Sequence, residues 1–217
     1  GLSIPHLAGT ITNLDTASMN RTLVSIQSEL KRRQNSYKYW IKWLSEKPYT
    51  ILFVDGNHDN HPYWNSLPSV TWRGGRVHKH PDADNVIHLK RGEIYNIAGK
   101  VFFTMGGADS VDKYNRMEGF SWWAEEMPSK KEYERALKKL EKVNFKVDYV
   151  LSHCCGTQFL HRLNTMHPYA DELTDFFWNL ERIYRLEFKK WFFGHHHIDV
   201  EVDDQHICLY NDIIELK

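Results

Sequence analysis

Long apolar runs are missing from this chain. No stretch of its 217 residues approaches the roughly 20 apolar residues that a membrane-spanning helix needs, so no membrane partner is expected. Cysteine is scarce. Cys154, Cys155 and Cys208 cannot build a disulfide framework, and adjacent cysteines rarely bridge each other. Residues 1–10 lack the charged-then-apolar pattern of a secretory leader. A reducing, cytoplasmic compartment is therefore the simplest expectation. An excess of either charge sign is missing too. The 28 basic and 28 acidic residues cancel, which excludes a global pull toward nucleic acid or anionic membrane. A local basic cleft, and nucleic acid as a substrate, stay open. What remains is ordinary globular composition, 41% hydrophobic and 26% charged, and one domain is expected.

Histidine is the residue present in unusual number, with 13 copies, and its grouping matters more than its count. Three groups follow short apolar runs that read as buried strands. Gly56-Asn57-His58-Asp59 follows 50–54, Ser152-His153 follows 147–151, and Gly194-His195-His196-His197 follows 190–193. The periodicity predicts a helix from Asn20 to Arg33 that restarts at Tyr37 and stops at Pro48. Residues 61–76, with Pro62, Pro68 and Gly74-Gly75, read as loop. A meander is expected over 86–89, 93–97 and 100–105, with a tight turn at Ala98-Gly99. The Ser129–Glu132 capping box opens a helix, a second helix spans 171–188, and 198–216 reads as a hairpin around Asp203-Asp204. Strands alternating with helices indicate an α/β layered fold with mixed sheets.

Three strand ends carrying imidazole or amide groups suggest a metal site at the carboxyl edge of a sheet, where open α/β sheets bind ligands. Imidazole nitrogens combined with an amide oxygen suit Mn, Fe, Zn or Ni, at one or two ions per chain. His195 and His197 alternate across His196, so an extended segment would point both the same way and leave His196 exposed. Two ions would hold a hydroxide for in-line attack on phosphorus, and His58 is the natural proton donor to the leaving oxygen. Arg116 is the preferred basic residue for a phosphate oxygen, because its loop follows Gly106-Gly107. Trp122 and Trp123 read either as substrate rim or as loop packing, and Cys154 and Cys155 as small buried residues.

These residues resemble the calcineurin-like metallophosphoesterases. Gly56-Asn57-His58-Asp59 looks like the family's GNH(D/E) motif, Ser152-His153 like its single-histidine motif, and Gly194–His197 like its GHxH motif. Phe53-Val54-Asp55, Gly106-Gly107-Ala108, Trp122-Trp123, Glu125–Ser129 and Lys189–Phe193 look like a bacterial and phage branch. The likeness runs from about residue 37 to the C-terminus and leaves 1–36 as a divergent or truncated segment before a metallophosphoesterase-like domain at 37–217. The resemblance implies a layered sandwich of mixed sheets flanked by helices and hydrolysis of a phosphoester by a metal-bound hydroxide. It implies Asn57, His153 and His195 on one metal, His197 on the other, His58 as general acid and Asp59 as its orienting partner.

The chain departs from that family at one point. Upstream of Asn57 the only aspartates are Asp15 and Asp55 and the only histidine is His6, so no Asp-x-His or Gly-Asp-x-x-Asp motif stands there. Asp59-Asn60-His61, Asp204-Gln205-His206 and Asp109–Asp112 have similar spacing in other places. Two functions follow as expectations: a metal-dependent phosphatase or phosphodiesterase, or a catalytically degenerate protein that keeps the fold as a binding module. Ligands from a second chain, or from His6 and Asp15 folded back, would complete the first.

Overall fold

The computed structural model describes residues 16–163 and 169–216. His6 and Asp15 therefore lie outside the described residues. Among the described residues no helix is long and apolar enough to cross a membrane. The chain divides into two compact units, residues 1–51 with 81–86, and residues 52–80 with 87–217.

The first unit is built on α1 (Thr16–Ser45), one unbroken helix of 30 residues where a restart at Tyr37 is expected. Asn35 and Ser36 are weaker helix formers, but the stretch carries no proline, so nothing forces a break. Tyr39, Trp40 and Trp43 are exposed on its last turns and contact one another edge to face. The Asn85 amide reaches the carbonyls of Leu44, Lys47 and Tyr49, which satisfies acceptors that a helix end leaves open.

The second unit holds most of the strands. In chain order the elements are β1 (Ile51–Phe53), α2 (His61–Ser66), β2 (Ser69–Trp72), β3 (Gly75–His80), β4 (Ala83–Leu89), β5 (Glu93–Ile97) and β6 (Lys100–Met105). They continue with α3 (Lys130–Lys142), β7 (Tyr149–Ser152), α4 (Thr157–Leu160), α5 (Glu172–Arg182), β8 (Lys190–Phe193), β9 (Val200–Glu201) and β10 (His206–Cys208). One sheet has the order β1-β4-β3-β2 and the other β5-β6-β7-β8-β10-β9. In the second sheet β6, β7, β8 and β10 run parallel, with β5 and β9 antiparallel at the edges. The architecture is mixed α/β, with two sheets and flanking helices.

Three expectations are corrected. The expected meander is divided, because β4 belongs to one sheet and β5-β6 to the other. Residues 61–76 are not loop: they hold α2, β2 and the start of β3. Trp72 pairs with Gly75, so Arg73-Gly74 is a two-residue hairpin turn with both φ positive, at 49° and 95°. The second helix stops at Arg182 rather than 188, and Arg185 then takes a left-handed φ of 54°. The Ala98-Gly99 turn and the Ser129–Glu132 capping box stand as expected.

The parallel strands are apolar on both faces, as a sheet covered on both sides requires. On one face Phe103, Val150, Trp191 and Cys208 pack with Tyr133, Ala136 and Leu140 of α3 and Leu173, Phe177 and Leu180 of α5. On the other, Phe102, Tyr149, Phe192 and Ile207 pack with Val77, Ile87 and Leu89 from the first sheet. Between these layers β7 and β8 run side by side and deliver their C-terminal loops to the same edge.

Candidate metal centre

The loop after β1 begins at Asp55, whose carboxylate is buried and anchors the edge. Arg91 donates Nε to Oδ2 at 2.7 Å and a second guanidinium nitrogen to the same oxygen, while His88 Nε2 lies 2.9 Å from Oδ1. Burial alone would raise the Asp55 pKa, but the Arg91 cation and the His88 hydrogen bond carry it well below the usual carboxylate range. The Asp55 carbonyl accepts the Gly107 N–H at 2.8 Å, which fixes the start of the 106–128 loop. Gly106 has no room for a side chain, since a Cβ there would meet Asp55 Oδ1 at 2.5 Å.

Behind Asp55 runs a line of buried histidines. Lys90 Nζ donates to His78 Nε2 at 2.8 Å, and His78 and His88 face each other through Nδ1 at 3.4 Å. The partners assign the protons: His78 donates to His88, and His88 donates to Asp55. Burial and then the Lys90 cation push His78 down to about 4. His61 completes the group, with Nδ1 3.8 Å from Asp55. The motif reading missed Asp55, His61, His78, His88 and Arg91. Their apolar neighbours, Val77 beside His78 and Ile87 with Leu89 around His88, were the signal that could have found these two histidines.

The Gly56 N–H bonds Asp59 Oδ2 at 2.6 Å and closes the turn. Asp59 therefore shapes the backbone that carries His58, rather than bonding to His58. Gly56 has its own constraint: a Cβ would stand 2.8 Å from the His153 ring. Asn57 is buried and donates Nδ2 to Ser110 Oγ at 2.9 Å. That bond aims its Oδ1 at His153 Nε2, 3.1 Å away. His195 Nδ1 lies 3.3 Å from the same nitrogen. The Gly194 N–H donates to the His153 carbonyl at 3.0 Å and locks the last two loops together.

Asn57, His153 and His195 are thus brought together, and His197 is not. His197 is exposed and stacks on Tyr210 with ring centroids 4.9 Å apart. The backbone explains this. His195 and His197 have φ of 68° and 55°, so the segment is bent rather than extended. The expected exposure of His196 fails for the same reason, since His196 is buried with Nε2 3.3 Å from Cys155 Sγ. Cys154 and Cys155 are buried as expected.

His58 is exposed beside Asn57, with Nε2 3.4 Å from its amide nitrogen. Burial first and the Arg116 cation second lower its pKa, and the Asp112 carboxylate opposes them. Arg116 itself is held by Asp112 at 2.7 and 2.6 Å. Burial of Glu126 behind this loop pushes its carboxyl up to about 7. Trp122 and Trp123 are half-buried in the same loop.

Donors bound to one transition-metal ion at about 2.0–2.2 Å stand about 3.0–3.6 Å apart. The 3.1 and 3.3 Å spacings of Asn57 Oδ1, His153 Nε2 and His195 Nδ1 match that shell. At those two separations the set is compatible with one divalent ion. It does not fit two, because the one carboxylate that leads into the loop, Asp55, is committed to Arg91 and His88. No family model, curated protein or solved structure matches the chain.

Two outcomes follow. Asp55→Asn leaves the Arg91 guanidinium buried without its counter-charge and should cost about 3–5 kcal/mol, measured by urea unfolding. Acid should also weaken the fold. His78 and His153 are both held neutral down to about 4, chiefly by burial, whereas unfolded histidine titrates near about 6.5. Their stability is complete above the unfolded value and is lost as pH falls toward the folded one. His206, lowered by burial but raised overall by Glu181 and Asp203, acts in the opposite sense. The urea midpoint should therefore drop between about pH 7 and about pH 5, and His78→Gln should flatten the drop.

Proposed function

We propose that this chain is a metal-dependent phosphoester hydrolase that works with one divalent transition metal held by Asn57, His153 and His195. The observation that carries this reading is that Asn57 Oδ1 and His195 Nδ1, from two other strand-end loops, each lie at coordination-shell spacing from His153 Nε2. When bound, the ion supplies positive charge for the phosphoryl oxygens and lowers the pKa of water. Ser110 turns the Asn57 amide so that its oxygen, and not its nitrogen, faces the histidines. His58 lies exposed next to these donors and holds the proton that the leaving oxygen requires. Arg116 adds positive potential beside His58, and Asp112 moderates it.

A non-catalytic reading is favoured by one observation, that among the described residues no carboxylate joins the converging donors. Three neutral ligands leave the ion's charge uncompensated. Turnover separates the two readings. Mn²⁺-dependent hydrolysis of a simple phosphodiester, abolished in His153→Ala, supports the hydrolase. Binding of Mn²⁺ without turnover supports the scaffold.

If His58 is the acid, His58→Ala should slow hydrolysis of alkyl phosphoesters by about 10²–10⁴-fold. An aryl ester whose leaving group needs no proton should lose far less. Equal losses on both substrates would remove His58 from that role. Asp112→Asn should lower the His58 pKa further, by deleting the carboxylate that raises it and freeing Arg116 from its partner. The limb of the pH–rate profile that requires protonated His58 should then move to lower pH.

A further inference from the structure

A second donor cluster stands behind the first, and the hydrolase reading does not use it. Cys154 Sγ, Cys155 Sγ and a ring nitrogen of His196 lie within 4.8 Å of one another, all buried. His196 Nε2 is 3.3 Å from Cys155 Sγ and 4.0 Å from Cys154 Sγ. Among the described residues, no other three cysteine, histidine or carboxylate donors lie so close together.

Cys154 and His196 are fixed from outside the cluster. Trp191 Nε1 donates to Ser152 Oγ at 2.8 Å, and that hydroxyl donates to the Cys154 carbonyl at 2.6 Å. His196 is turned in by left-handed backbone on both sides, at His195 and His197, which non-glycine residues adopt only when the surroundings hold them there. Its imidazole thereby meets two sulfurs, which are weak hydrogen-bond partners. A tetrahedral ion with Zn–S near about 2.3 Å and Zn–N near about 2.0 Å sets its donors about 3.5–3.8 Å apart. The observed separations bracket that spacing.

We propose that Cys154, Cys155 and His196 form a thiolate–imidazole site for a soft divalent ion, Zn²⁺ or its analogue Co²⁺. On binding, each thiol releases its proton to solvent and forms a sulfur–metal bond, and His196 adds its neutral nitrogen. Two thiolates cancel the charge of the dication, so the complex is neutral where it is buried. The hydrogen-bonded trio of Asn57, His153 and His195 offers no such compensation. Because Cys154 follows His153 and His196 follows His195, the ion would clip the two loops from behind and hold the outer histidines in place. Soft ligands of this kind select Zn²⁺ over Mg²⁺ or Mn²⁺.

The test uses the full chain, stripped with chelator and titrated with Co²⁺. A thiolate-to-cobalt charge-transfer band in the near ultraviolet is expected, a signature that nitrogen and oxygen ligands do not give. The band should persist in His153→Ala and in Cys208→Ser and vanish in Cys154→Ser/Cys155→Ser. No band in the unsubstituted chain, a band that survives the double substitution, or one lost with Cys208 would each overturn the assignment. If the double variant fails to fold, X-ray absorption of the Zn²⁺-loaded unsubstituted chain decides. About two sulfurs at about 2.3 Å with nitrogen at about 2.0–2.1 Å are expected, and a shell of nitrogen and oxygen alone overturns the site.

Discussion

A carboxylate buried at the end of a strand must be neutralised where it stands, and Asp55 is neutralised from two directions, by Arg91 and by the His88 relay. The geometry of the edge follows from that requirement. The Asp55 carbonyl receives Gly107, which starts the long loop that brings Ser110 to Asn57. Its side chain holds strand β4 through His88, and its neighbour Gly56 leaves space for the His153 ring. Without the Asp55 carboxylate, β4 loses its tie to this edge through His88, and Arg91 loses its closest acidic partner. A buried pair of this kind adds little net stability against an apolar replacement, but it fixes a single arrangement when both partners are present.

Much of this was legible in the sequence. The three strand-end motifs, the second sheet's parallel strands and the capping box of α3 all follow from apolar runs and local turn chemistry that tertiary packing did not override. The failures have physical causes. Arg73-Gly74 makes a hairpin turn without the Asn-Gly or Asp-Gly pair that marks one, so β2 and β3 were hidden in an apparent loop. The buried histidines of β3 and β4 look polar in a linear reading, although they occupy core positions once paired through Lys90 and Asp55. His196 was assigned by strand alternation, but the backbone had already left the extended region. Asp55 was counted as an isolated aspartate because only its motif context was weighed, not its burial.

The two donor clusters divide the labour of charge. In the outer one, a neutral amide and two imidazoles meet at the ends of the strands. In the inner one, sulfur can supply the negative charge that a solvent-free position demands. The same two chain segments, 153–155 and 194–197, serve both, because His153 meets His195 while Cys154 and Cys155 meet His196.

The left-handed backbone at His195 and His197 bears on how the chain can change over generations. Non-glycine residues in that conformation are disfavoured by roughly 1–2 kcal/mol each, and glycine or asparagine adopts it more readily. A chain selected for folding alone would drift toward those residues at both positions. Glycine or asparagine at 195 and 197 would relax the local backbone but would remove the imidazole that meets His153 and the one that stacks on Tyr210.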